Sequence, residues 1–300
     1  MIESLPSARI VKQARHQLAM VAIRRQLRAV ASGKSHGLSL NLEQNGMLVA
    51  ASILDTTRSL PRDSPPMQRL IGAFEQSGAL ESVISGLASH HANRRIASAR
   101  IAGALGLEPA VSWLAPLLKS ADPAVATAGA RALGDLGGAR SAEELVLAIQ
   151  RSGPRRIFIV ALARAAPDLF LEVTLSSSNR AGVRMAAALA AGLRRRRAAV
   201  RPLMGLLSSG NRRERVAGCK ALGWIGAGVS VPAIAAALHD REWRVRVAAI
   251  KALAVLKAFS YVGEVDALLH DRDPHVRRAA RRSVNHMWSA RPTREGWGWP

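Results

Sequence analysis

Arg244-Val-Arg-Val-Ala-Ala-Ile-Lys-Ala-Leu253 aligns without a gap on His275-Val-Arg-Arg-Ala-Ala-Arg-Arg-Ser-Val284. Val245 falls on Val276, and that step sets the period of a repeat. The same punctuation, Leu238-His-Asp240 and Leu269-His-Asp271, precedes each stretch. A fixed period of this size predicts a solenoid, because one such unit cannot bury its own apolar face and neighbours must stack.

The second helix of each unit is indexed from its first inward residue, position 0. The anchors are then Ala97, Val125, Ile157, Val183, Glu214, Val245 and Val276. The first three spacings are irregular, whereas the last three all equal the Val245-to-Val276 step. N-cap residue types stand shortly before most anchors: Asn93, Asp122, Asn179, Asn211, Asp240 and Asp273. Gly106, Gly134, Gly192 and Gly223 are expected to close these helices as left-handed C-caps. The first helix of each unit is shorter and often carries an early proline, as at Pro109, Pro202 and Pro232.

Composition agrees with stacked helices. The 300 residues are 49% hydrophobic but only 4% aromatic, and the apolar content is Ala, Leu and Val. Net charge is +22, from 43 Lys and Arg against 21 Asp and Glu. Such a surface attracts polyanions, whether nucleic acid, anionic lipid or an acidic protein segment. The single cysteine, Cys219, excludes a disulfide scaffold and fits a reducing compartment. No apolar run reaches the roughly 20 residues of a membrane span, and no secretory signal is read, so a cytoplasmic protein is expected.

Residues 1–32 read as one basic amphipathic helix, with Ile10, Val11, Leu18, Val21 and Leu27 on one side and Arg9, Lys12, Arg15, Arg24, Arg25 and Arg28 on the other. Residues 1–63 are expected to form a helical cap and a Pro-rich linker, 64–287 the repeat body, and 288–300 a disordered tail holding Trp288, Trp297 and Trp299. A peripheral contact of residues 1–32 with an anionic membrane is a further option.

The pattern of early Pro, Leu-x-x-x-Leu-x-Asp, then Asp-Pro-x-Val-Arg-x-x-Ala resembles HEAT-type repeats, in the short form of phycobilin-lyase-like proteins. The resemblance covers about residues 68–287, with 271–284 the best match. It implies a right-handed α-solenoid of about seven helical hairpins with an N-terminal helical cap. It also implies a structural ladder, in which Arg184, Arg215, Arg246 and Arg277 bond turn carboxylates such as Asp240 and Asp271. Ala126 and Phe158 depart from that pattern, which suggests a weaker or bent joint around residues 126–158.

At about 100° per residue, positions 0, 3, 4, 7 and 8 form the inward stripe. Positions 2, 5 and 6 are then expected to face outward, onto the concave surface that the resemblance implies. At positions 2 and 5 stand Ile159, Leu162, Met185, Val216, Cys219, Val247 and Ile250; position 6 is basic at Arg131, Lys220, Lys251 and Arg282. In the last unit Arg278 and Arg281 join Arg282. This describes an apolar channel with a cationic edge, suited to an acidic amphipathic segment of a partner protein. The bland alternative is that the stripe is core, covered by curvature or by the N-terminal helix.

A rival reading uses the basic rim, Arg94, Arg95, Arg155, Arg156, Arg212 and Arg213, with Arg195 and Arg196 of the four-Arg turn at 194–197, to follow a nucleic-acid backbone. Enzyme readings find little support. Iron-binding HEAT-like oxygenases use His-Glu pairs, and none occurs; His239 and His270 precede ladder aspartates. Trp113, Trp224 and Trp243 have no carboxylate suitably placed for a glycosylase. No phosphate loop, nucleophile elbow or zinc spacing is present. The expectation is a non-enzymatic scaffold with neither metal nor cofactor.

Overall fold

The computed structural model describes residues 6–177 and 180–289. Among them every regular element is helical, α-helix or short 3-10 turn. In chain order the α-helices are α1 (Pro6–Ala31), α2 (Leu42–Thr57), α3 (Pro65–Gln76), α4 (Ala79–Leu87), α5 (Ala92–Leu105), α6 (Val111–Leu114), α7 (Pro123–Leu136), α8 (Gly138–Ser152) and α9 (Arg156–Ala165). They continue with α10 (Phe170–Ser176), α11 (Ala181–Leu193), α12 (Val200–Ser209), α13 (Arg212–Ile225), α14 (Val231–Ala236), α15 (Trp243–Val255), α16 (Val262–Ala267) and α17 (Pro274–Ser289). The fold class is an all-α solenoid. Asn179 and the Trp297–Trp299 tail lie outside the described residues.

The chain divides into two compact units, residues 1–145 and 146–300. In the first, α1 packs on α2 and α3, α2 on α5, and α5 on α7. In the second, the long helices α9, α11, α13, α15 and α17 pack in series, while α10, α12, α14 and α16 back them from one side. The unit boundary falls in the interval where the ladder position lacks arginine.

Local chemistry explains the helix ends. Asn211 Oδ1 accepts from the amides of Arg213 and Glu214, and Glu214 Oε2 accepts from the Asn211 amide at 2.8 Å, a complete capping box. Asp122 caps α7 through the amide of Ala124. A residue with positive φ follows five of these helices: Gly106 (φ 70), Gly137 (φ 74) and Gly226 (φ 77) directly after α5, α7 and α13, and Arg195 (φ 52) and Lys257 (φ 52) two residues after α11 and α15. Their spacing corrects one anchor. Gly226 lies twelve residues past Glu214 and Lys257 twelve past Val245, so the matching anchor for Gly106 is Arg94, not Ala97. The step from Arg94 to Val125 then equals the step from Val245 to Val276, as regular as the last three repeats.

Three of the four expected C-cap glycines do something else. Gly134, Gly192 and Gly223 are buried inside their helices, and only Gly106 is a left-handed cap. A Cβ on Gly192 would sit 2.7 Å from Ala221 Cα, and one on Gly223 3.1 Å from Ala252 Cα. Gly192 and Gly223 let successive long helices touch backbone to backbone.

Candidate partner-binding groove

A ladder of arginines joins the turns along α11, α13, α15 and α17. Arg246 donates from Nε and Nη2 to the two carboxylate oxygens of Asp271 at 2.8 and 2.7 Å, and from Nη1 to Asp240 O at 2.8 Å. Arg215 does the same to Asp240 at 2.6 and 3.0 Å, and to Gly210 O at 2.9 Å. Arg184 departs from the pattern: it bonds the fully buried Glu214 at 2.6 Å instead of a turn aspartate. Arg277 closes back on the carbonyls of Asp271 and Arg272. Burial pushes the Asp271 carboxyl up, but the Arg246 hydrogen bonds, the Asp273 amide and the charges of Arg246 and Arg272 hold it below its ordinary value.

The long helices α11, α13 and α15 each have three covered sides. Position 4, about 40° round, meets the backing helix: a Cβ on Gly218 would lie 3.0 Å from Leu207 Cδ2. Position 9, about 180° round, meets the next long helix, as at Gly192 and Gly223. The preceding long helix covers the side of position 7, the place of Ala221 and Ala252 in those contacts. The free arc is centred on position 6, about 240° round, and takes in positions −1, 2 and 10.

This corrects half of the expected channel. Position 5, about 140° round, is sealed between the backing helix and the next long helix. Leu162, Cys219 and Ile250 are accordingly 0% exposed, and they are core rather than channel lining. Ile159, at position 2 of α9, is also buried. Burial pushes the Cys219 thiol up to about 12, leaving it protonated and inert. At the other position-2 sites Met185, Val216 and Val247 are half-buried. Arg131, Lys220, Lys251 and Arg282 are exposed at position 6. Arg281, though at position 5, is exposed because no described helix packs beyond α17.

Across α13, α15 and α17 the free arcs join into one concave groove of about 860 Å³. Its floor is Val216, Val247, Ala248 and Ala254, with Trp224, Trp243 and Val255 on its walls. Lys220, Arg244, Lys251, Arg278 and Arg282 edge it, and no described Asp or Glu lines it. The Trp243 ring stacks on His275 at 4.7 Å and carries the Arg244 guanidinium at 4.4 Å, which fixes the aromatic wall. Sequence reasoning missed Trp224, Trp243, Arg244, His275 and Val255. For four of them the signal was present, since positions −1 (Arg244, His275) and 10 (Trp224, Val255) share the arc of position 6; Trp243, at position −2, reaches the groove from the side of the next helix, where it stacks on His275. It missed Arg100 for another reason: on the corrected anchor Arg94, Arg100 takes position 6 of α5.

The rim arginines are not one set. Arg196 is engaged by Asp168 and, at 3.1 Å, by Glu172, and Arg212 pairs with Glu242 at 3.5 Å. Arg94 pairs with Glu43 at 3.2 Å, and Arg155 lies over the Phe158 ring. Arg95 takes the ladder position of α5 rather than a rim position, and its Nε is buried without a hydrogen-bond partner. Arg156, Arg195 and Arg213 are exposed. No described helix is long and apolar enough to cross a membrane. His239 is exposed, with Nε2 3.9 Å from Glu264, and no three His, Cys, Asp or Glu side chains gather among the described residues.

No curated protein matches the chain in sequence. Among solved structures, human deoxyhypusine hydroxylase in complex with glycerol aligns at 18% identity and TM-score 0.37, over 91% of this chain and 99% of that one. An engineered protein aligns at 19% identity and TM-score 0.37, over 89% of this chain and 78% of its own. Another engineered protein aligns at 16% identity and TM-score 0.27, over 89% and 97%. The first of these is an enzyme by name, so the expectation that the chain is not an enzyme is withdrawn. The family model described as HEAT repeats matches residues 168–254, so the stretch from α10 to α15 that builds most of the groove consists of HEAT repeats.

Proposed function

We propose that the chain is a binding scaffold whose groove across α13, α15 and α17 holds an acidic amphipathic segment of a partner protein. One observation carries the reading: an aliphatic and tryptophan-walled trough is edged by five cations and by no described carboxylate. The aliphatic floor takes up apolar side chains, and burying them supplies affinity at about 25 cal/mol per Å² before association costs. The edge cations select the sign of the partner and speed its capture. A surface for a phosphate backbone places polar and basic groups where Val216 and Val247 stand.

The test pans a displayed random-peptide library against the full chain. Enrichment of sequences rich in Asp and Glu together with Leu, Val or Phe is expected, and Val247→Asp should abolish their capture. Val247 is half-buried at the groove floor, so this variant keeps its unfolding transition within about 1 kcal/mol of the parent. Enrichment of neutral or basic sequences, or capture that survives Val247→Asp, overturns the proposal.

A further inference from the structure

We infer that the groove recognises a helix running along the stack with one acidic residue every seventh position, a reading that rests on the proposed binding role. Lys220, Lys251 and Arg282 occupy the same position in successive repeats and are all exposed. Helices α13 and α15 touch through Gly223 and Ala252, where an added Cβ would lie 3.1 Å from the neighbouring Cα. Long helices in such contact lie about 8–10 Å apart, so the cations recur at about that interval along the groove.

Apolar rows flank the cation row on both sides. Val216 and Val247 stand four residues before it, and Trp224 and Val255 four residues after, each about 6 Å away along its own helix. A bound helix of about 10–12 Å diameter covers all three rows at once. In that helix residue i+7 returns to the same face after about 10.5 Å, close to the cation interval. Residues i+3 and i+4 fall on either side of the acidic line, one towards each apolar row. An extended segment returns to the same face after about 6.6 Å, and drifts out of step with the cations within two repeats. The occupant is therefore a helix with acids at i, i+7 and i+14 and apolar residues at i+3, i+4, i+10 and i+11. Its central acid meets Lys251 whichever way the helix runs.

The probe is a labelled three-heptad peptide with Glu at i, i+7 and i+14, Leu at the four apolar places, and Ala and Gln elsewhere. Its partner has the same composition with the three Glu moved to the opposite face. Fluorescence anisotropy with the full chain should show the first binding at least about tenfold more tightly. Lys251→Glu should weaken it about tenfold, and Glu→Lys at i+7 of the peptide should restore binding to that variant, whereas Glu→Lys at i should not. Equal binding of both peptides, lost for both on Val247→Asp, overturns the register and leaves the groove reading standing. Failure of both peptides to bind, or binding untouched by Val247→Asp, overturns the groove reading and the register with it.

Discussion

Ser120→Asp should stabilise the chain by completing a rung that the fold leaves half made. Arg215 and Arg246 each find a carboxylate 25 residues ahead, at Asp240 and Asp271. At the same distance ahead of Arg95 stands Ser120. Its backbone is already that of the aspartates: φ −60 and ψ 136 at Ser120, against −61 and 140 at Asp240 and −57 and 146 at Asp271. Ser120 Oγ even performs their second task, accepting the Asp122 amide at 3.2 Å as Asp240 accepts that of Glu242 at 2.9 Å. Only the ion pair is missing, and Arg95 Nε is buried without a partner. A charge-assisted bond to such a group contributes about 1.5–3 kcal/mol. Arg95 is only half-buried, so screening and lost rotamer freedom reduce the net gain to about 1–2 kcal/mol. That corresponds to roughly 2–8 °C in melting temperature. At a net charge of +22 any added acid relieves some repulsion, so the control is Ser85→Asp at an exposed site away from the ladder. Urea unfolding at pH 7 of the parent, both single variants, Arg95→Met and the Arg95→Met/Ser120→Asp pair isolates the coupling. A gain that persists in the Arg95→Met background, or that Ser85→Asp matches, refutes the rung.

Two further predictions use the same geometry. Gly192→Ala should destabilise by about 1–2 kcal/mol in urea titration, because its new methyl would lie 2.7 Å from Ala221 Cα and 2.9 Å from Trp224 Cε3, and that overpacking outweighs the better helix propensity. Gly205→Ala in α12, where an added Cβ meets nothing within 4 Å, should stabilise by about 0.5–1 kcal/mol, so the same change has opposite signs at the two sites. The second prediction concerns acid. Asp240 and Asp271 are held below their ordinary value in the folded chain, after burial, which acts the other way, is overcome by their arginines. Their contribution is therefore present above the unfolded carboxyl value near 3.9 and is lost as pH falls through the lower folded values. Melting temperature should drop steeply from about pH 4 downward. Asp271→Asn should lower stability at pH 7 by about 3–5 kcal/mol, since the Arg246 side chain is only 6% exposed, and should flatten that acid slope.

The repeat, its period and the arginine ladder were legible in the sequence because each rests on residue identity recurring at a fixed distance. Which way a side chain points rests on what surrounds the helix, and there the helical wheel alone misleads. Taken from an inward stripe at positions 0, 3, 4, 7 and 8, positions 5 and 6 lie about equally far to either side of the opposite face, and nothing in the angle separates them. The neighbours do. Gly223 against Ala252 shows that the face opposite the stripe is where the next helix sits, so the opening is turned towards position 6 and Ile250 is sealed. The chemistry held the same information: Cys219 and Ile250 at position 5 avoid charge, and Lys220 and Lys251 at position 6 carry it. The misplaced anchor in α5 has a similar origin. Ala97 offers an apolar side chain close by, but Arg94 fills position 0, as Glu214 does in α13. A polar anchor survives where its charge is answered locally, Arg94 by Glu43 and Glu214 by Arg184 and the capping box. Glycine carried the same ambiguity. Only the approach of a neighbouring backbone separates a glycine that ends a helix, such as Gly226, from one that lets two helices touch, such as Gly223 three residues earlier. The groove therefore becomes readable once glycine contacts, rather than apolar periodicity, set the rotation of each helix.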